Sequence, residues 1–527
     1  MLIKTSAKLD IFAVESTDMK NIFIIFSFLL SISLFGQESQ SADLSGSMQN
    51  VLNEICGDEV FDHAYVGICV MDSKGQILAE VNSGKMMIPA SNMKLITTGA
   101  ALHSLQPDFS FRTTLAYDGH IENGILKGNI HIIGGGDPTL ASKDSIAIPI
   151  ERTFAVWEKI LRENGIREIE GYIIGDGSYF DGALEEPTWL LNDAGTYYGA
   201  GASGLMFYEN MQSFSVSAGK TVGDPINIKP YYPECGWMDF RYDCSTGKPG
   251  TGDRLYMFTS DLAPVAEIRG TFGVDRAAKR LDCANKYPEY TCAKYFENHL
   301  RRNGIPCSGG AADYKLNTGW MEERHSCDTA GLNVLIESFS PSLDRIVFET
   351  NHASNNVFAE TLFRALGKNL TGSACYDSSY VAINEILAEL NVPTDKGLKI
   401  QDGSGLSRQN LISPEALCRF LHAMGSSHAF SCFASSLPSP GFNGTLSYNM
   451  SGHPEALRSR IKVKSGSMNG VRCYSGYIFP SDPDASISDG LPEGALIISI
   501  MTNNCVSPTW KVRPLLDRLM ATLAKNN

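Results

Sequence analysis

The sequence predicts an α/β (α+β) fold in which two separated pieces of chain build one domain around a β-rich insertion. Residues 64–71 and 76–81 have the pattern of two strands joined by a turn, and a buried helix follows them. After it, glycine-rich turns separate short strands, and long helices return only near the carboxyl end. We therefore expect 42–107 and 340–527 to form one domain, and 108–339 to form one or two inserted domains.

The remaining elements follow from periodicity and turn residues. In the insertion we expect strands at 128–133 and 171–175 and helices at 154–164 and 292–302. Beyond it we expect helices at 355–366, 380–390 and 414–424, and strands at 461–464, 473–479 and 495–501. The last helix carries a one-sided apolar stripe of Leu515, Leu516, Leu519 and Leu523, which favours a core face over a membrane anchor.

Composition limits the function classes. The 527 residues suffice for two or three domains, and a formal charge of −14 argues against nucleic acid as the main partner, because phosphate contact needs a basic face. Thirteen cysteines include no C-x-x-C pair, so we expect no zinc site of the usual spacing, no other metal and no cofactor. In an exported chain some cysteines can form disulfides, and Cys283 and Cys292 are close enough in sequence to pair locally.

The amino terminus has the pattern of an export signal. Lys20 precedes the apolar run 22–35, and a small residue and a polar stretch follow. We expect a signal peptide at 19–37, with Met19 as the true start, and a periplasmic protein without a stable membrane span after cleavage. An uncleaved anchor is the alternative, although the run is short for a membrane span.

The first chemical motif is Ser91-Asn-Met-Lys94, at the start of the buried helix and just after Pro89. Residues three apart share a helix face, so the hydroxyl and the amine are expected to meet, and a neutral lysine can deprotonate a serine. An ordinary helix-capping serine with an exposed lysine is the other interpretation. The same spacing also occurs at Ser217–Lys220, Ser245–Lys248 and Ser459–Lys462, where no buried helix begins.

Two further motifs follow along the chain. Ser354-Asn-Asn356 begins a predicted helix, and Lys464-Ser465-Gly466-Ser467 ends a predicted strand. Serine–lysine, serine–x–asparagine and lysine–Ser/Thr–glycine, in this order, are shared by penicillin-binding proteins and serine β-lactamases. Further similar stretches are Gly134–Pro138, Trp189–Asp193, Tyr197–Ala200 and Asp402–Ser413. Together with the long insertion, they make the chain resemble the D-Ala-D-Ala carboxypeptidase/endopeptidase family, the class C low-molecular-mass penicillin-binding proteins.

The resemblance implies a serine β-lactamase/transpeptidase-like domain and a catalytic set of Ser91, Lys94, Ser354, Asn356 and Lys464. Ser91 would attack the penultimate D-Ala carbonyl and form an acyl-enzyme. Burial and the second cation, Lys464, both lower the pKa of the Lys94 amine, although Ser354 remains the alternative base. Asn356 would bind the substrate's backbone amide, and the oxyanion would lie between the N–H groups of Ser91 and Ser467.

The resemblance also implies a substrate-binding set. Lys464 and Ser465, with Gly466 and Ser467 beside them, would hold a terminal carboxylate, while Asp193 and Arg408 would bind the far end of the peptide's diamino acid. Asn469 stands where the family pattern leads us to expect a longer amide side chain, and the third motif has Ser465 instead of the commoner threonine.

The expected partners are peptidoglycan peptides as substrates and β-lactam antibiotics as inhibitors. The expected activity is serine-type D-Ala-D-Ala carboxypeptidase, with cleavage of D-Ala–diamino acid cross-links as a second reaction. One alternative is a serine β-lactamase, which needs a group that activates deacylating water. Another is a non-catalytic cell-wall-binding protein of the same fold, against which three intact motifs argue.

Overall fold

The structure is a computed structural model, and it describes residues 45–314, 329–480 and 490–527. The expected signal peptide at 19–37 and Cys327 lie outside these residues. Within the described ranges no helix is both long enough and apolar enough to cross a membrane.

The chain combines helices with several β-sheets, which confirms the predicted α/β (α+β) class. The helices are α1 (residues 45–56), α2 (Met93–Leu105), α3 (Ile150–Glu163), α4 (Leu191–Ala194), α5 (Pro288–Arg302), α6 (Leu343–His352), α7 (Asn356–Thr371), α8 (Tyr376–Glu389), α9 (Pro414–Met424), α10 (Phe430–Ser435), α11 (Glu455–Arg458) and α12 (Thr509–Asn526).

The strands of the first piece and the insertion are β1 (Tyr65–Asp72), β2 (Ile77–Val81), β3 (Arg112–Tyr117), β4 (His120–Glu122), β5 (Ile125–Lys127), β6 (Ile130–Gly134), β7 (Glu168–Ile169), β8 (Tyr172–Asp176), β9 (Met211–Ser217), β10 (Asn227–Tyr232), β11 (Asp239–Gly247), β12 (Tyr256–Ser260), β13 (Ala263–Gly273), β14 (Lys279–Ala284), β15 (Gly310–Asp313) and β16 (Asn333–Phe339). Those that follow are β17 (Leu398–Lys399), β18 (Leu411–Ile412), β19 (Ile461–Met468), β20 (Val471–Ile478) and β21 (Leu496–Asn503).

The main sheet joins the two ends of the chain. Its order is β19-β20-β21-β1-β2, and every neighbouring pair is antiparallel. All eight residues of β21 are buried, as expected for a central strand covered on both faces. Helices α2 and α9 lie on one face, and α1 and α12 pack on the other.

The stripe on α12 is a core face, as predicted. Leu516, Leu519 and Leu523 are buried in one hydrophobic cluster with residues of α1 and the main sheet, and Leu515 packs against that cluster. This packing ties the last helix to the sheet that carries β19 at its edge.

The insertion contains its own sheets. The largest has the order β15-β8-β6-β3-β16, and smaller sheets are β10-β9-β14, β11-β13-β12 and β4-β5-β7. Cys283 in β14 and Cys292 in α5 are buried free thiols, so the structure does not have the local disulfide considered above. The physical reason is that the two side chains pack in different hydrophobic clusters.

Candidate active site

A cavity of about 1200 Å³ opens between the edge of the main sheet, the start of α2, the corner between α6 and α7, and the insertion. Nine of the eleven predicted site residues line it, and the other two, Lys94 and Lys464, are buried beneath it. The nine are Ser91, Asp193, Ser354, Asn356, Arg408, Ser465, Gly466, Ser467 and Asn469.

Ser91 and Lys94 meet as their spacing predicts. Ser91 lies in a single 3-10 turn, Ala90–Asn92, that leads directly into α2, and Lys94 is in the first turn of that helix. The Lys94 Nζ is 3.1 Å from the Ser91 Oγ. Ala90 has a φ of 46°, an uncommon conformation for a non-glycine residue, and such conformations are concentrated at functional sites.

The hydrogen bonds of Lys94 orient its amine. Nζ donates to the Asn356 Oδ1 at 2.7 Å and to the backbone oxygen of Ser404 at 2.8 Å. Both partners only accept hydrogen bonds. A neutral amine has two N–H bonds and one lone pair, so these two contacts leave the lone pair for the hydroxyl of Ser91.

The pKa of Lys94 favours its action as a base toward Ser91. Burial lowers its pKa from 10.5 to about 7, although the carboxylates of Glu360 and Asp402 act in the opposite direction. Burial also lowers the pKa of Lys464 far below its ordinary value, and the positive charge of Lys94 adds to that effect. A lysine with a pKa of about 7 is neutral often enough near neutral pH to act as a base.

The third motif approaches the serine turn through β19. Because side chains alternate along a strand, Lys464 and Gly466 share one face and Ser465 and Ser467 the other. A Cβ atom on Gly466 would lie 2.5 Å from the backbone oxygen of Pro89. Glycine is therefore required for the strand to pass this close to the turn that carries Ser91.

Ser354 occupies the corner between two helices. α6 ends at His352, and the Asn355 side chain caps α7 by accepting from the Phe358 N–H. Ser354 has a φ of 57°, a left-handed conformation that turns the chain sharply at this point. The Lys464 Nζ donates to the Ser354 Oγ at 2.9 Å, so the second and third motifs are directly bonded.

Asn356 uses only part of its hydrogen-bonding capacity within the protein. Its Oδ1 accepts from Lys94, and its Nδ2 donates to the backbone oxygen of Tyr198 at 2.9 Å. An amide side chain has two N–H bonds and two lone pairs, so one of each is left for a substrate. The Tyr198 contact also connects the insertion to α7.

Hydroxyl groups and a guanidinium surround the outer face of β19. The Thr445 Oγ1 is 2.7 Å from the Ser465 Oγ, and Arg472 on β20 donates to the Ser467 Oγ. This combination of hydroxyls beside a guanidinium suits a carboxylate. The sequence had not singled out Arg472, and its only signal was its position opposite Ser467 in a tight hairpin.

The two charged residues predicted for the far end of the substrate lie at the rim of the cavity. The Asp193 Oδ1 accepts from the Tyr198 hydroxyl at 3.1 Å, and Arg408 donates to the backbone oxygen of Asn469 at 3.4 Å. Burial raises the pKa of Asp193, while the positive charge of Arg408 partly opposes that rise. The structure thus brings both to one cavity with the predicted catalytic set, but they are less enclosed than the lysines.

Sequence reasoning missed two buried acids beneath Lys94, Glu360 and Asp402. Glu360 follows Asn356 by one helical turn, and together with Arg364 it is a charged residue in an otherwise largely apolar part of α7, which was a usable signal. Asp402 accepts from Trp189 Nε1 at 2.9 Å and thereby links two stretches of the family resemblance. In the part of the chain that the structure describes, no group of three metal-ligating side chains is placed to hold an ion.

A model of the D-Ala-D-Ala carboxypeptidase 3 (S13) family matches residues 48–513. The chain belongs to this family. It is therefore a serine-type D-Ala-D-Ala carboxypeptidase by class, as the sequence predicted. The match includes all the predicted site residues, and it extends over both pieces of the main domain and the insertion.

Named relatives agree with this assignment. The chain is 28% identical over 496 residues to the D-alanyl-D-alanine carboxypeptidase of Actinomadura sp. (strain R39), covering 91% of this chain and 86% of that protein. It is 24% identical over 422 residues to the D-alanyl-D-alanine carboxypeptidase DacB of Haemophilus influenzae, with 77% and 80% covered.

A solved structure shows the same fold. The crystal structure of penicillin-binding protein 4 (dacB) from Haemophilus influenzae matches with a TM-score of 0.73 at 21% identity, covering 88% of this chain and 96% of that chain. This likeness confirms the expected transpeptidase-like fold with additional β-rich structure.

Proposed function

We propose that the protein is an exported enzyme that hydrolyses the terminal D-Ala-D-Ala bond of peptidoglycan stem peptides through an acyl-enzyme on Ser91. We further propose that it cuts D-Ala–diamino acid cross-links. The observation that carries the proposal is the 3.1 Å contact between Lys94 Nζ and Ser91 Oγ, in a cavity lined by the other two motifs. The apolar run at 22–35, read as a secretory signal, supports export to the periplasm.

In the first step, the neutral Lys94 amine accepts the Ser91 proton while Oγ attacks the carbonyl carbon of the penultimate D-Ala. The support is the orientation of the amine, whose two N–H bonds point to Asn356 and Ser404. General-base assistance of this kind contributes roughly 10²- to 10⁴-fold. The backbone N–H groups of Ser91 and Ser467 are the proposed donors to the oxyanion.

The leaving amine then needs a proton. Ser354 is the proposed relay of that proton, helped by Lys464, whose Nζ is 2.9 Å from the Ser354 hydroxyl oxygen. The C–N bond breaks, the terminal D-Ala leaves as an amine, and the acyl group stays on Ser91. Water then attacks the ester and regenerates the Ser91 hydroxyl.

Substrate recognition is proposed to use both ends of the cavity. At one end, Lys464, Ser465 and Ser467 hold the terminal carboxylate, and Arg472 adds a positive charge beside Ser467. At the other end, Asp193 and Arg408 bind the ammonium and carboxylate of the diamino acid side chain. Asn469 contributes through its backbone, whose oxygen accepts from Arg408.

Penicillin is the probe that tests the acyl-enzyme. A second crystal structure of the Haemophilus influenzae protein contains a β-lactam, which supports β-lactam binding by this fold. Protein incubated with labelled penicillin should carry one label on the Ser91 peptide by mass spectrometry. Ser91→Ala should remove the label, and Ser217→Ala should keep it, because Ser217 belongs to a Ser-x-x-Lys match outside the cavity.

Two measurements separate the proposal from its alternatives. A penicilloyl-enzyme that persists for hours supports a peptidase, whereas release within seconds supports a β-lactamase. D-Ala release from a pentapeptide supports catalysis, and its absence in purified, folded protein that has not been exposed to penicillin would point to a cell-wall-binding role.

A further inference from the structure

The turn Asp402–Gly405 lies between the catalytic lysine and a buried acid that does not line the cavity. The Ser404 backbone oxygen accepts from Lys94 at 2.8 Å. On the other side of the same turn, the Ser404 N–H donates to Glu360 Oε1 at 2.8 Å and the Gly403 N–H donates to Oε2 at 3.2 Å. One carboxyl group therefore binds two consecutive N–H groups of the segment that orients the lysine.

Other contacts hold the same turn in place. The Thr97 hydroxyl donates to the backbone oxygen of Gly403 at 2.7 Å, and Thr97 is one helical turn after Lys94. Asp402 accepts from the N–H groups of Gly405 and Ser407 at 2.7 and 2.6 Å. With the other polar groups of the turn bound in this way, the Ser404 oxygen is directed at Lys94. Buried networks of this kind are rigid when every member has a partner.

We propose that Glu360 is a positioning residue for the base that activates Ser91: it holds the turn whose Ser404 carbonyl oxygen fixes the Lys94 amine. This inference rests on the proposed function, since it assumes that Lys94 accepts the Ser91 proton. Glu360 itself contacts neither the cavity nor Ser91 among the contacts that the structure describes.

The charged groups near Lys94 surround this turn. Glu360 on α7 and Asp402 in the turn act on Lys94, and Lys94 in turn acts on Lys464 of β19. Burial and the charge of Asp402 raise the pKa of Glu360 to about 8. The ionisable groups around the two acids are Arg364 on α7, Tyr376 on α8 and Glu186 in the insertion.

The effect of a substitution follows from this pKa. With a pKa of about 8, Glu360 is mostly uncharged at pH 7, so Glu360→Gln changes the hydrogen bonding of the turn more than its charge. In Glu360→Gln, one amide oxygen can still accept from Ser404, but the new NH₂ group faces the N–H of Gly403. The variant therefore loosens the turn.

The experiment measures the rate of penicillin acylation against pH in the full-length protein. For Glu360→Gln we expect the rising limb of the profile to stay near its wild-type pH, because a Glu360 with a pKa of about 8 is mostly uncharged where that limb lies. We also expect the plateau rate to fall about tenfold through misplacement of Lys94. Glu297→Gln is the matched control, because Glu297 is also a buried glutamate but lies on α5 of the insertion, and it should leave both quantities unchanged.

Thr97→Val provides a milder second variant that keeps every charge. We expect slower acylation with the rising limb at the wild-type pH, because only the position of the turn is affected. A folded Glu360→Gln protein or a folded Thr97→Val protein with the wild-type plateau rate would overturn the inference. If the wild-type protein is not labelled on Ser91, the proposed function fails instead, so the two failures are distinguishable.

Discussion

The floor and the rim of the cavity hold charges in opposite ways. On the floor, Lys94 and Lys464 are completely buried, and each is fixed by short hydrogen bonds to other elements. At the rim, Asp193 is only partly buried and Arg408 is exposed, and each has a single long hydrogen bond. Burial shifts pKa values and fixes geometry, whereas exposure keeps side chains ordinary in charge and free to adapt.

The floor and the rim of the cavity therefore suit different functions, catalysis and substrate selection. A base must be neutral part of the time and must hold its lone pair at one angle, and only a buried, multiply bonded lysine meets both requirements. A residue that selects a charged substrate must remain charged and accessible. Mutations on the floor should therefore change the rate of acylation, and mutations at the rim should change substrate affinity.

The largest effect should come from removing the base. Lys94→Met keeps a long apolar stem in the buried site but has no amine, and we expect penicillin acylation to fall by roughly 10³-fold. Stopped-flow or quenched-flow acylation kinetics measure this directly. Lys220→Met is the matched control, because Lys220 is exposed and belongs to another Ser-x-x-Lys match. An unchanged acylation rate in Lys94→Met would show that Lys94 is not the base, and the contrast between floor and rim would lose its functional meaning.

The next largest effect tests the approach of β19 to the serine turn. In Gly466→Ala the new Cβ would meet the Pro89 oxygen at 2.5 Å and the backbone nitrogen of Asn92 at 3.0 Å. The strand must move away, and we expect acylation to fall about 10²-fold because Lys464 and Ser467 are displaced. Gly452→Ala, where no atom lies within 4 Å of the new Cβ, should have the wild-type rate.

The pH dependence sharpens the description of the floor. Because burial lowers the Lys94 pKa from 10.5 to about 7, its neutral form becomes the major one above pH 7. The acylation rate should rise about tenfold per pH unit below pH 7 and level off above it. If the rate instead rose near pH 10.5, the ordinary pKa of a lysine, Lys94 would be solvated and charged at neutral pH. The profile should be recorded where circular dichroism shows an unchanged fold.

The smallest effect should come from the rim. Asp193→Asn or Arg408→Gln should raise KM about tenfold for a peptide that contains the diamino acid, because each loses one exposed charge contact. The acylation rate with penicillin, which lacks that side chain, should stay within about twofold. Arg419→Gln is the control, since Arg419 is a surface arginine paired with Glu415. A fall in kcat without a change in KM would show that the rim takes part in the chemistry.

Strong local patterns were sufficient for much of the secondary structure. The predicted helix at 414–424 coincides with α9, and the strand predicted at 64–71 is displaced by one residue from β1. The strand predicted at 461–464 continues to residue 468, because β19 pairs with β20 through the whole third motif. Glycine and serine have no strong preference for strands, so only that pairing could extend the element.

The sequence by itself determined the chemical groups, since the three motifs name a hydroxyl, two amines and an amide in a fixed order. Tertiary structure decided their states: burial lowers the pKa of Lys94, and a distant acid on α7 holds the turn that orients its amine. Desolvation and hydrogen-bond direction depend on what surrounds a group in space, and contacts between residues hundreds of positions apart leave no local pattern to read.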